Sequence, residues 1–269
     1  MPNIAPSNPS EVMVIRKLSP NITTLSLPFA RFGKLRVGGR GTIIRLRSGA
    51  LAVFSPVALT PEVKDAVNAL GGNLRYVIAP DLQHHLFIGP WHQEYPEAKV
   101  IGPEGLAEKR ASQKNEDVPF THIFTKDNAK DMKIDPEFDA DFDYEYIDGH
   151  ISNELVLNYR PEKTLIEADL MYSLPATEQY SRAGRATEGS EFLSKIFTSI
   201  QSTSSVWQKR LIWYGASSKD RPAFNKSIAR IEKWDFDRIV VCHGDVIESG
   251  GKGIFQKVFE WHLQAAQKS

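Results

Sequence analysis

Polar side chains follow several predicted strands of the sequence at the point where each strand ends. In chain order they are His84 with His85, His150, Asp169 and His243. Imidazole nitrogens and carboxylate oxygens are ligands that zinc, iron and manganese accept in proteins. Because strand ends from distant parts of a chain can meet at one edge of a sheet sandwich, we expect these side chains to form a metal site.

Asp81 and His150 could also serve this site in roles other than metal binding. Asp81 lies in the same loop as His84, and it could be a ligand, a partner that orients a histidine, or the base that takes a proton from bound water. An ordinary loop aspartate is an equally good interpretation. His150 could bind the metal or only form a hydrogen bond with its water or the substrate. The sequence therefore predicts Asp81 and His150 as catalytic residues and leaves their roles open.

Composition limits the classes of protein to consider. Thirty-three basic and thirty-three acidic residues give no net charge, which argues against binding of nucleic acid. The single cysteine, Cys242, excludes an intramolecular disulfide and an all-cysteine zinc site, and its place beside His243 on a strand predicts a core position. No segment is typical of a secretion signal or a membrane span, so we expect a cytoplasmic protein without a membrane partner. The oligomeric state cannot be read from the sequence.

The pattern of apolar residues predicts strands followed by helices, twice. Short Val-, Ile- and Thr-rich runs from Val12 to Phe54 predict an antiparallel meander, and Thr60-Pro61 predicts a helix start. The run from Leu155 to Asp169 predicts a hairpin. Helices are expected at Glu191–Ile200, at Pro222–Lys233 and at Gly253–Gln264.

An acidic segment lies in the middle of the chain. Nine of the twenty-two residues 127–148 are Asp or Glu, but their spacing does not fit a calcium-binding EF loop. We therefore expect a solvated loop, with 111–148 as an acidic insertion in a single domain that spans 1–269.

Two segments resemble motifs of the metallo-β-lactamase superfamily. Gly149-His150 and the hairpin that ends at Asp169 resemble its Gly-His, hairpin and bridging-Asp segment, and Val240–Gly244 resembles the strand with its final His ligand. The resemblance covers Val12 to Ala265. It implies a four-layer αββα sandwich of the α+β class, with a simple two-layer α+β fold as the alternative.

The first metal motif of the superfamily departs from its pattern in this sequence. The family reads His-x-His-x-Asp-His, whereas here Pro80 and Leu82 stand at the two leading His positions, and His84 stands at the Asp position. Only His85 matches. Because Pro and Leu offer no lone pair, the resemblance implies a divergent branch that holds one ion with His84, His85, Asp169 and His243. Zinc is favoured, and iron or manganese is possible.

Two functions are compatible with such a site. The first is a hydrolase in which metal-activated water attacks an ester, lactone or phosphoester of a small molecule. The second is a degenerate member that binds metal or a ligand without catalysis. Four aromatic residues near predicted strand ends indicate an apolar or aromatic substrate: Phe87, Trp91, Tyr172 and Tyr214.

Overall fold

The computed structural model describes residues 6–115, 117–183 and 190–268. These residues form thirteen strands: β1 (Val14–Lys17), β2 (Ile22–Leu27), β3 (Ala30–Arg31), β4 (Leu35–Arg36), β5 (Gly39–Arg45), β6 (Leu51–Phe54), β7 (Leu74–Ile78), β8 (Lys99–Pro103), β9 (His122–Phe124), β10 (Phe142–Ile147), β11 (Glu154–Tyr159), β12 (Thr164–Glu167) and β13 (Arg238–Val241). The same residues form ten α-helices: α1 (Pro9–Val12), α2 (Pro61–Ala69), α3 (Ile88–Glu94), α4 (Leu106–Ser112), α5 (Pro136–Asp141), α6 (Glu191–Ile200), α7 (Val206–Leu211), α8 (Arg221–Ile231), α9 (Gly251–Val258) and α10 (Glu260–Ala266).

The strands form two large sheets and one small hairpin. The first sheet has the order β1-β2-β5-β6-β7-β8-β9, antiparallel as far as β6 and parallel from β6 to β9. The second sheet has the order β10-β11-β12-β13, and its last pair is parallel. Strands β3 and β4 pair only with each other.

Alternating side chains place a core between the two sheets. On β6, Ala52 and Phe54 belong to a buried cluster with Leu155 and Leu157 of β11, whereas Val53 belongs to a cluster on the opposite face of the sheet. Because successive residues of a strand point to opposite faces, each sheet presents one apolar face to the other sheet and a second one outward.

Helices cover both outward faces. Residues of α2, α3 and α4 pack on the first sheet, among them Val63, Trp91 and Leu106. Residues of α8 and α9 pack on the second sheet, among them Phe224 and Phe255. The αββα sandwich predicted from the sequence is therefore confirmed.

Most of the helices predicted from the sequence are present in the structure. Helix α2 begins after Thr60, whose hydroxyl accepts a hydrogen bond from the Val63 amide, and α6 has the predicted bounds. The expected C-terminal helix is divided at Phe259 into α9 and α10. No helix among the described residues is long and apolar enough to cross a membrane.

The segment 111–148 is not the solvated loop that its acidity predicts. It contains β9, α5 and β10, and two of these strands form sheet edges. Its acids have defined partners: Asp135 caps α5, Asp141 forms an ion pair with Arg47, and Glu137 accepts a hydrogen bond from the Tyr76 hydroxyl. The charge density gave no indication of the last two contacts, because Arg47 and Tyr76 lie far from this segment in the sequence.

Candidate metal centre

The candidate site lies where strand ends of both sheets meet. Strands β12 and β13 are parallel neighbours with Glu167 opposite Val241. The residues that follow these strands, Asp169 and His243, therefore emerge side by side. The loop after β7, in the first sheet, brings His84 to the same place.

Three predicted site residues converge at short distances. Nε2 of His84 lies 3.2 Å from Nε2 of His243, which in turn lies 3.3 Å from Oδ1 of Asp169. Ligand atoms of the three residues all lie within 4.8 Å of one another, and no other such group of His, Cys, Asp or Glu occurs among the described residues. Ligands about 2.0–2.2 Å from a tetrahedral zinc ion are roughly 3.3–3.5 Å apart. The two short separations fit this spacing.

The tautomers of the two histidines give a second test of whether a cation fits. Nδ1 of His84 is 2.9 Å from Oδ1 of Asp81, and Nδ1 of His243 is 2.6 Å from the Gly38 carbonyl oxygen. Both oxygens accept, so both Nδ1 atoms carry the hydrogen. In the neutral rings the Nε2 lone pairs then face each other at 3.2 Å. This arrangement requires a cation, either a metal ion or a proton on one ring, so the donor set fits a transition metal.

The charges around His84 favour a cation at this place. Burial opposes the charged form of His84, but the carboxylates of Asp81 and Asp169 outweigh it and raise the pKa of His84 to about 9. Burial likewise opposes ionisation of Asp81, but the charge of His84 lowers the pKa of Asp81 below its usual value. Oδ1 of Asp81 also accepts from the backbone amides of Gln83 and His84, both at 2.7 Å. Asp81 is thus a buried group that orients His84.

Asp169 is held by several groups. Its Oδ1 accepts a hydrogen bond of 2.8 Å from the Tyr172 hydroxyl and lies 3.5 Å from Nη1 of Arg31. Nη1 of Arg31 also donates to the Tyr172 oxygen. Burial opposes ionisation of Asp169, but the close contact with His243 and the charge of His84 hold the pKa of Asp169 well below its usual range.

Two buried glutamates support the backbone behind Asp169. Glu154 accepts from the amides of Ala168 and Asp169 at 2.8 and 3.1 Å, and Glu167 accepts from the Met171 amide at 3.2 Å. Burial and their proximity to other carboxylates raise the pKa of both well above the usual value. These side chains hold the loop after β12 in place, and they are not part of the three-residue group.

His85 is the predicted ligand that the structure does not bring into the group. Its ring is buried, with Nδ1 3.4 Å from Nη1 of Arg110, and its carbonyl oxygen accepts from the same Arg110 nitrogen at 2.7 Å. Burial and the charges of Lys109 and Arg110 lower the pKa of His85 to about 4. The neutral ring of His85 packs beside Arg110 of α4 and lines a cavity at the site, whereas the adjacent His84 belongs to the three-residue group.

His150 lies beside the group and outside it. Its Nδ1 accepts from the Ser152 amide at 3.2 Å, so the hydrogen of the neutral ring is on Nε2, which is 3.9 Å from Oε2 of Glu154 and has no hydrogen-bond partner. Burial lowers the pKa of His150. The loop that carries it is joined to the His84 loop by a hydrogen bond from the Leu82 amide to the Ser152 carbonyl.

Two cavities adjoin the group and share Arg31 and Asp169 in their walls. The first, of about 190 Å³, is also lined by His84, His243 and Lys109. Its apolar lining consists of Leu27, Phe29, Pro56, Val57, Leu86 and Phe87. The second, of about 280 Å³, is also lined by His150 and Tyr172, together with a largely apolar set: Phe32, Leu35, Ile151, Leu170, Met171, Phe197, Leu211, Ile212 and Ala216.

The four aromatic residues singled out in the sequence have different places. Phe87 lines the first cavity, and Tyr172 lines the second and bonds Asp169. Trp91 is a core residue whose Nε1 donates to the Val57 carbonyl, and Tyr214 is exposed and lines neither cavity. Cys242 is buried as expected, and burial raises the pKa of its thiol well above the usual value.

Comparisons with solved structures identify the fold. The chain resembles the solved structure of VMB-1, with 12% identity over 95% of this chain and 99% of that one and a TM-score of 0.59. A metallo-β-lactamase from Pontibacter korlensis is 12% identical over 91% and 99% of the two chains, with a TM-score of 0.54. FIM-1 from Pseudomonas aeruginosa, solved in a mono-zinc form, is 11% identical over 94% and 96%, with a TM-score of 0.52. The chain therefore has the metallo-β-lactamase fold, and the predicted resemblance is confirmed.

A family model covers more than half of the chain. The family described as "Domain of unknown function (DUF4336)" matches residues 31–180, and the chain belongs to this family. A comparison with curated protein sequences gave no match.

Sequence reasoning missed several residues that shape the site. Gly38 has a φ of +72°, and a Cβ there would lie 2.1 Å from Oε1 of Gln179, whose side chain bonds the Cys242 carbonyl and the Gly244 amide around His243. In the sequence Gly38 begins a Gly-Gly-Arg-Gly run, a composition typical of a turn that gives no indication of a contact with His243. Arg31 gave no signal, because it stands in a short polar hairpin far from the metal motifs in the sequence.

Proposed function

We propose that the chain is a metal-dependent hydrolase that holds one transition-metal ion with His84, Asp169 and His243. Its substrate would be a small ester, lactone or phosphoester with an apolar or aromatic part. The observation that carries this proposal is the pair of Nε2 atoms facing each other at 3.2 Å while both Nδ1 atoms are bound to acceptors. Zinc is the favoured ion, and the mono-zinc form of FIM-1 supports a single-ion site in this fold.

The metal would act as a Lewis acid and make a water molecule acidic enough to react near neutral pH. The chain's own residues would prepare the site for it. Asp81 and the Gly38 carbonyl fix the tautomers of His84 and His243, and Tyr172 holds Asp169. Asp81 therefore acts as a positioning residue in this proposal, because its Oδ1 is engaged by three donors.

His150 would act from the second cavity. Its neutral ring can offer the Nε2 hydrogen to a substrate group or take part in a proton transfer with Glu154, 3.9 Å away. The apolar walls of both cavities would bind the organic part of the substrate and exclude water.

Metal content and turnover test this proposal together. We expect elemental analysis of the purified protein to find one ion per chain, and a panel of aryl esters, lactones and phosphodiesters to include a substrate. His243→Gln should lose the ion and the turnover, because one of three ligands is removed. His122→Gln is the matched control, since His122 lies on the edge strand β9 outside the group.

The outcomes separate the alternatives. Two ions per chain would refute the single-ion site, and no ion after metal addition would refute the site itself. One tightly bound ion without turnover of any substrate would favour the non-catalytic binding protein. The cytoplasmic location and the single domain remain predictions.

A further inference from the structure

Arg31 brings a positive charge to the edge of the metal group. It ends strand β3, which pairs only with β4, and this hairpin reaches the site from the first half of the chain. Nη1 lies 3.5 Å from Oδ1 of Asp169 and donates to the Tyr172 hydroxyl. The guanidinium is therefore held in a fixed place beside the atoms that would bind the metal.

Two donor nitrogens of the Arg31 guanidinium are available to a ligand, and its Cζ lies over the Phe32 ring, 5.6 Å from the ring centre. Nε and Nη2 have no hydrogen-bond partner among the described residues, and the side chain remains 30% exposed. Arg31 lines both cavities, so a molecule in either one can reach it. A planar guanidinium with free donors matches the oxygens of a carboxylate or a phosphate.

The charges that line the first cavity favour an anion. Its wall contains the cationic side chains of Arg31, Arg40 and Lys109, and Asp169 is its one acidic side chain. Arg40 is fully buried, bonds the Val241 and Gly244 carbonyls and forms an ion pair with Glu178 at 3.4 Å, so Arg31 and Lys109 are the cationic groups that a ligand can reach. A metal ion, whose charge Asp169 would share, would increase this positive excess.

We propose that Arg31 is the anchor for an oxyanion group, a carboxylate or a phosphate, that the substrate carries beside its apolar part. This inference rests on the proposed function, since it names the substrate class of the same site. Phe29, Val57 and Phe87 would contact the apolar part, and Arg31 would fix the position of the anionic group relative to the metal.

Anion binding tests the proposal without any need for turnover. Inorganic phosphate and acetate are titrated into the metal-loaded protein by calorimetry. We expect at least one of them to bind, and Arg31→Gln to weaken that binding by about tenfold or more, as for loss of a hydrogen bond to a charged group. Arg31→Lys should retain part of the affinity, because lysine keeps the charge and loses the fork of donors. Which of the two anions binds more tightly distinguishes a phosphate-bearing from a carboxylate-bearing substrate.

Two controls keep the result specific. Arg45→Gln removes one positive charge at the exposed end of β5, outside both cavities, and should leave anion affinity unchanged. The NMR resonance of the Arg31 Nε–H group can be identified because it is absent from the spectrum of Arg31→Lys. In the wild-type protein this resonance should shift when the anion that binds is added. This measurement does not depend on the stability or metal content of Arg31→Gln.

Equal affinities of wild type and Arg31→Gln, an unshifted Arg31 resonance, or no binding of either anion would overturn the proposal. Arg31-dependent anion binding in a protein that turns over no substrate would refute the hydrolase and leave the anchor standing.

Discussion

At the scale of single residues, the site depends on hydrogen bonds that orient its ligands. Nδ1 of His84 donates a hydrogen bond to Asp81, and Nδ1 of His243 donates one to the Gly38 carbonyl oxygen. Such partners fix the tautomer of an imidazole and increase its basicity, so they contribute to metal affinity without touching the ion.

Asp81→Asn should weaken metal binding by about 10–100-fold. The substitution keeps the shape of the side chain and an acceptor oxygen, but it removes the negative charge that stabilises His84 in contact with a cation. Competition with a chromogenic chelator measures the affinity. Asp65→Asn, at an exposed position of α2, removes the same charge elsewhere and should have no effect. Equal affinities of wild type and Asp81→Asn would show that the negative charge of Asp81 does not contribute to metal binding.

At the scale of elements, helices α8 and α10 pack against each other around His262, a histidine that does not belong to the site. His262 donates from Nδ1 to Oδ1 of Asn225 at 2.7 Å, and its ring centre lies 4.8 Å from those of both Trp213 and Phe224. Burial, with the charge of Arg221, lowers the pKa of His262 to about 3. A neutral His262 is therefore part of the packing between these helices.

This histidine should make the protein less stable in acid. The folded protein keeps His262 neutral down to about pH 3, whereas in the unfolded chain it binds a proton below about pH 6.5. The unfolded state thus binds more protons in this window, so the free energy of unfolding falls as the pH falls through it. We expect the contribution of His262 to the free energy of unfolding to be about 2 kcal/mol lower at pH 5 than at pH 7.

Urea unfolding at the two pH values measures this effect. His262→Phe, which keeps a ring but cannot titrate, and His262→Gln, which keeps a donor for Asn225, should both show a smaller loss of stability between pH 7 and pH 5 than wild type. An unchanged loss in both variants would mean that another group causes the acid sensitivity.

At the scale of the whole molecule, the site is held by the packing of one sheet on the other. Leu157 is fully buried in the cluster between the sheets, together with Phe54 of the first sheet. Because the ligands come from loops at the ends of both sheets, any change in how the sheets pack also changes the distances within the site.

Leu157→Ala should therefore destabilise the protein by about 2–5 kcal/mol, the cost of a cavity in a packed core. Phe192→Ala is the comparison, because Phe192 is 72% exposed on α6 and its loss should change stability by less than about 0.5 kcal/mol. Denaturant unfolding measures both effects: the midpoint should shift, while the dependence of the free energy of unfolding on denaturant concentration stays the same. A small effect of Leu157→Ala would show that the space between the sheets collapses around the missing side chain.

The sequence by itself determined many elements of this fold, although not those within 111–148, and it predicted the strand ends at which the candidate site lies. Alternating apolar residues predicted the hairpin from Leu155 to Asp169, and Pro80 and Leu82 predicted the loss of the leading ligands. These inferences need only the period of a strand and the chemistry of one side chain, both of which are local properties.

Only the tertiary structure decided which side chains meet. His84 and His85 are adjacent and identical in type, yet His84 faces His243 and His85 packs beside Arg110 of α4. The approach of Arg31 to Asp169 likewise depends on a hairpin that folds back from a distant part of the chain. Local periodicity fixes the face on which a residue lies, whereas contacts between distant segments depend on how sheets and helices pack together.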